Sequence, residues 1–139
     1  MLNLLIKIII LFPPVSVHAA SSVENCIENG KIRFSINSVE QEENAAYCTN
    51  KSGTMLISKK CASGECLSTL PNINLNLGEL FSTAGKPGFE LCRQLHGTGQ
   101  LLEFSFANKW YKLDRCSFAD GNWFLDTDQL LNIYIKRQK

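Results

Sequence analysis

The chain has 139 residues, of which 45% are apolar and 19% charged, with six cysteines, four prolines and a formal charge of +1. That suits one domain or two very small ones and excludes a disordered or fibrous chain. The near-zero charge also argues against nucleic acid or an anionic membrane surface as the partner, since both call for clustered positive charge.

In chain order, the apolar run Leu4-Leu5-Ile6-Lys7-Ile8-Ile9-Ile10-Leu11-Phe12 comes first, broken by Pro13-Pro14 and followed by the small side chains of Val17 and Ala19. The run is too short for the ~20 residues of a membrane span. It reads as a signal peptide, residues 1–19, removed after Ala19. An uncleaved anchor is the competing reading, and a lipid anchor is disfavoured because Val23-Glu24-Asn25 precedes Cys26. Cleavage leaves residues 20–139 as a single exported domain, periplasmic or secreted, with no stable membrane span. Loss of Lys7 and His18 leaves no net formal charge and one histidine, His96.

Ile32-Arg33-Phe34-Ser35-Ile36 alternates apolar and polar residues, the period of a half-buried strand. Pro71-Asn72-Ile73-Asn74-Leu75-Asn76-Leu77-Gly78 alternates too, and reads as an edge strand or an extended linker into a helical turn, Glu79 to Thr83. Pro87 opens a helix from Gly88 to His96 that carries Phe89, Cys92 and Leu95 on one face, and Gly97 is expected to cap it. Leu102, Phe104 and Phe106 alternate with Glu103 and Ser105, then Ala107-Asn108-Lys109 turns the chain into Trp110 to Leu113, making a hairpin. Asp128 to Arg137 reads as a helix with Thr127 as N-cap, although Ile133-Tyr134-Ile135 suits a strand equally. The basic end Lys136-Arg137-Gln138-Lys139 reads as a frayed, solvated terminus.

Two stretches repeat one order. Cys26, Gly30, the strand with Phe34-Ser35, Cys48 and Gly53 match Cys92, Gly97 and Gly99, the strand with Phe104-Ser105, Cys116 and Gly121. The fold expected is therefore α+β: a small disulfide-stapled domain of two similar helix-plus-β-hairpin halves, a degenerate duplication. Residues 20–67 and 86–139 are the candidate sub-units, joined by 68–85. An even cysteine count in an exported chain reads as disulfides. The repeat pairs Cys26 with Cys48 and Cys92 with Cys116, leaving Cys61 and Cys66 to close a small loop.

Residues 86–131 resemble a small secreted bacterial domain labelled hemolysin, a family of unknown function. The resemblance rests on Pro87 before a helix with Cys92, glycines after it, a short hairpin, and Cys116-Ser117-Phe118-Ala119-Asp120-Gly121. Lys86-Pro87-Gly88 stands where that family has Asn-Pro-Ala, Thr98 splits its paired glycines, and its later cysteine and tryptophan are missing. The resemblance implies a small exported bacterial domain. No amphipathic or pore-forming segment supports lysis.

Chemistry is sparse. A Cys92/His96 pair, four apart on a helix, is the one nucleophile arrangement available, for a small secreted enzyme. The opposing reading oxidises Cys92 and leaves His96 as a polar residue in the last helical turn. No catalytic residue, cofactor or metal is assigned, since Cys61 and Cys66 lack further ligands. Surface recognition remains. Exposed members of Trp110, Tyr111, Trp123 and Phe124 beside Lys109 and Lys112 form the candidate binding surface, the opposing reading being that both aromatic pairs close a small core. The partner expected is another protein or an envelope component, and an inhibitor or immunity-type protein is the alternative.

Overall fold

Two long hairpins organise the chain. Asn25–Ile36 (β1) and Val39–Thr49 (β2) pair antiparallel up to Ile36↔Val39, and Thr98–Phe106 (β4) and Lys109–Phe118 (β5) pair up to Phe106↔Lys109. Each closes on two residues with positive φ, Asn37 and Ser38 in one, Ala107 and Asn108 in the other. Two successive left-handed residues give the turn whose twist matches that of the strands. The computed structural model describes residues 25–82, 85–121 and 123–138; the signal-peptide reading of 1–19 and Thr83 lie outside these.

Two short strands, Leu56–Ser58 (β3) and Trp123–Asp126 (β6), join the hairpins into a closed antiparallel barrel in the order β1-β2-β3-β6-β5-β4. The expected α+β arrangement of two helix-plus-hairpin halves is thereby overturned. Cys26 lies on β1, directly opposite Cys48 on β2, so its bridge ties strand to strand. Cys92 lies on a helix and bridges to Cys116 on β5. The hairpins do not build separate units, because β3 pairs with β6 at Ile57↔Leu125 and β1 pairs with β4 at Ile32↔Phe104 and Arg33↔Glu103. All three disulfides nevertheless take the expected partners, with Cys61–Cys66 closing the small loop.

Strand alternation separates two apolar clusters. Ile32, Tyr47, Leu56, Leu102, Phe104 and Phe124 fill the barrel. Their neighbours Cys48, Ile57 and Leu125 point out into a second cluster with Leu80, Leu91, Leu95, Leu130 and Tyr134. Four helices build that outer layer: Lys59–Ala62 (α1), Leu77–Ser82 (α2), Pro87–Gln94 (α3) and Thr127–Arg137 (α4). Burying both faces of β3 and β6 explains why Leu56-Ile57 and Phe124-Leu125 are continuous apolar pairs.

Local details correct several expectations. The left-handed residue ending α3 is His96, at φ 63°, and the amides of His96 and Gly97 bond back to the Arg93 and Cys92 carbonyls. Gly97 is needed for space, since a Cβ there would lie 2.4 Å from Cys116 Sγ. Asp126, not Thr127, caps α4 by accepting from the Gln129 amide. The C-terminal residues are tied down: Arg137 donates to the Leu67 and Leu70 carbonyls, and Gln138 to that of Ile73. Residues 71–76 form neither strand nor helix, so the edge-strand expectation is not met, and Asn76 caps α2 through the Glu79 amide.

Candidate functional site: the uncovered barrel wall

The helices cover the outside of β2, β3, β5 and β6 near Cys48, Ile57, Cys116 and Leu125, and Phe89 of α3 packs over the start of β4 at Gly99. The wall formed by β1, the rest of β4 and the start of β5 is left open. Outward side chains of these strands are Lys31 and Arg33 on β1, Leu101, Glu103 and Ser105 on β4, and Trp110 and Lys112 on β5. Register aligns Glu42, Arg33, Glu103 and Lys112 in one row across four strands, alternating in sign. Such cross-strand charge pairs each contribute about 0.2–1 kcal/mol.

Trp110 is the centre of this wall. It lies opposite Ser105, whose small side chain lets the indole reach over β4 towards β1. The Arg33 guanidinium sits 3.9 Å from the ring centroid while its Nη2 donates to Glu103 Oε2 at 2.7 Å. A cation stacked on one ring face and anchored by a carboxylate holds the indole in place. Leu101, 69% exposed, lies on the same face of β4 beyond the charged pair Glu103–Lys112.

Of the six residues expected to form a binding surface, the structure brings Lys109, Trp110 and Lys112 to this region. Lys109 flanks the hairpin turn, and Lys112 faces Glu103. Tyr111 and Phe124 point into the barrel. The Tyr111 ring stacks 5.6 Å from Phe104 and fills the space a side chain on Gly53 would take, and Phe124 is 3% exposed. Trp123 packs on the outer helical cluster, away from the wall. Adjacent residues on a strand face opposite ways, so Trp110-Tyr111 and Trp123-Phe124 each contribute one member to the interior. Arg33 and Glu103 are not among the expected residues, although the alternation Lys31-Ile32-Arg33-Phe34 marks Arg33 as outward.

Inside the barrel, β5 places a cation, Arg115. Its Nε and Nη2 donate to Gln100 Oε1 at 3.0 and 2.7 Å, and its charge lies 4.8 Å from the Phe124 centroid and 5.6 Å from that of Phe34. Nη1 lies 2.7 Å from Glu43 Oε1, an ion pair by proximity rather than a directed hydrogen bond. Arg115 thus links five strands and is structural in its contacts.

Cys92 is bonded to Cys116, so the Cys92/His96 nucleophile does not form, and His96 is exposed at the end of α3. Among the described residues no group of three or more His, Cys, Asp or Glu side chains converges as for a metal. None of their helices is long and apolar enough to cross a membrane, and three disulfides fit an oxidising compartment. No family model, no curated protein and no solved structure matches this chain.

Proposed function

We propose that this chain is an exported, disulfide-stapled binding protein of the bacterial periplasm or cell surface, and that it engages a protein partner through the β1–β4–β5 wall. One observation carries the reading: Trp110, pinned by Arg33 on a wall that no helix covers. Rigid, partly exposed tryptophans next to arginine are the side chains most often dominant in protein interfaces. The wall's alternating charges favour a partner with a matching charge pattern over a uniformly charged polymer. Export is supported by the leader-like residues 1–19 and the bridged cysteines, and a bacterial source by the resemblance of residues 86–131.

The test is affinity capture from envelope and secreted fractions with wild type and with Trp110→Ala. A stoichiometric enzyme or toxin lost with Trp110→Ala marks an inhibitor or immunity-type protein, the alternative form of this reading. Wall or membrane proteins lost with the same variant mark an envelope component. Capture unaffected by the substitution, or none at all, would sink the assignment to this wall.

A further inference from the structure

One edge of the barrel is left open by β3. Tyr47, Cys48 and Thr49 of β2 pair with β3, which stops at Ser58 where the chain enters α1 and its Cys61–Cys66 loop. From Val39 to Ala46, β2 pairs with β1 alone, and among the described residues no backbone bond from elsewhere reaches this stretch. Hairpin geometry says which groups are free. In a two-residue hairpin the closing pair, Ile36–Val39, exchanges both backbone bonds, and bonded and non-bonded pairs then alternate. The N–H and C=O of Glu40, Glu42 and Asn44 therefore point away from β1. Lys31, opposite Asn44, has the matching orientation: its amide donates across to Ser105 Oγ on β4 at 3.3 Å, and its carbonyl accepts from the Tyr47 hydroxyl.

We propose that this edge accepts an extended segment of a partner protein as an added strand, and that the segment carries lysine or arginine at alternate positions. Strand addition takes its affinity from free main-chain groups and its selectivity from the side chains beside them. Here those side chains are acidic. The outward carboxylates of Glu40 and Glu42 are 72% and 53% exposed, with their own cations no closer than 4.0 and 3.5 Å. Glu43 faces inward and is held by Arg115, so the acidic groups beside the free main-chain groups lie on the outer side. There Glu42 meets Lys31 and Glu40 meets Arg33 only in exposed pairs, which are weak. A second copy of the chain is excluded as occupant by the same charges, because two such edges side by side would set glutamates against glutamates. The site adjoins the Trp110 wall, since Glu42 ends its charged row and Glu40 lies 4.0 Å from Arg33, but the main-chain groups it offers lie on the side of β2 away from β1.

The experiment measures anisotropy of a fluorescein-labelled peptide, acetyl-Thr-Lys-Thr-Lys-Thr-Lys-amide, titrated with the full mature protein at physiological salt. Its partners are the same peptide with glutamate for lysine and a version N-methylated at alternate residues. The lysine peptide is expected to bind at least tenfold more tightly than either. Glu42→Pro removes an amide that serves no ladder bond, which an edge strand tolerates, and should weaken binding at least tenfold at an unchanged melting temperature. The double variant Glu40→Lys with Glu42→Lys keeps the backbone and should transfer the preference to the glutamate peptide, so the charge requirement is tested even if Glu42→Pro does not fold. Equal binding of the N-methylated peptide, no preference for lysine, or a wild-type dimer that Glu42→Pro dissociates would each overturn the proposal.

Discussion

The Tyr47 hydroxyl donates to the Ser105 carbonyl at 2.6 Å, across the seam where β1 and β4 share only two residue pairs. The Lys31 carbonyl lies 3.3 Å from the same hydroxyl oxygen and shares its single proton, so one side chain from β2 spans a stretch where the backbone ladder is missing. The ring gains its position from Gly30, where a Cβ would fall 2.3 Å from it. Burial raises the Tyr47 pKa above the ordinary tyrosine value despite its hydrogen bonds to Ser105 and Lys31, so the hydroxyl keeps its proton and remains a donor at neutral pH.

Tyr47→Phe is accordingly expected to cost about 0.5–1.5 kcal/mol, the net contribution of a hydrogen bond whose acceptors are part-buried. Gly30→Ala should cost about 1–3 kcal/mol through overpacking. Urea unfolding midpoints decide both, and a neutral Tyr47→Phe would show that water satisfies the seam.

Arg115→Ala should destabilise by about 1–3 kcal/mol, because Gln100 loses its donor and Phe34 and Phe124 lose the packed guanidinium. Arg115→Met, which fills the same volume without a charge, should recover most of that loss. If both variants are equally unstable, the charge itself is needed.

Asp126 gives a pH dependence whose sign is set by burial. Burial is the largest influence and raises its pKa above the ordinary value of 3.8, against bonds from the Leu56 and Gln129 amides and the Gln129 side chain. The folded state then holds the proton more tightly than the unfolded one, so stability from this group is fullest below pH ~4 and falls as pH rises through the folded value. Thermal melts of wild type and Asp126→Asn across pH 3–8 (roughly the window of carboxylate linkage) should show wild type losing ground to the variant as pH rises. A constant difference would mean that Asp126 titrates normally.

The aromatic residues should divide by side of the sheet. Trp110→Ala removes an exposed ring and a stack on Arg33 that contributes about 0.5–1 kcal/mol, so the melting temperature should barely move while partner binding weakens. Phe124→Ala opens the barrel interior and should cost about 3–5 kcal/mol. Measuring stability and capture on both variants checks this, and the opposite pattern would place the site elsewhere.

Alkylation of the unreduced, denatured protein followed by mass measurement should find no free thiol, matching the three bridges. Removing Cys26–Cys48 or Cys92–Cys116 should each cost about 3 kcal/mol, and removing Cys61–Cys66 less, because it closes a much shorter loop. Equal costs would argue that the small loop holds the end of β3 in place.

By itself the sequence determined what local periodicity and spacing control. Ile32 to Ile36 and Leu102 to Phe106 alternate as strands, Pro87 opens α3, and the repeated order of cysteines yields the pairing found in all three bridges. The matched glycines Gly53 and Gly121 both carry positive φ. Only the tertiary structure decided that the two hairpins close one barrel. That closure depends on β1 meeting β4 and β3 meeting β6, contacts between residues about 70 positions apart in the chain, and no local period reports a pairing at such distance. β3 and β6 are three and four residues long, too short for alternation to announce them. The candidate wall was half legible for the same reason. Trp110 stands out as an aromatic on a strand, but its partner Arg33 lies two strands away, and only barrel closure brings the guanidinium over the ring.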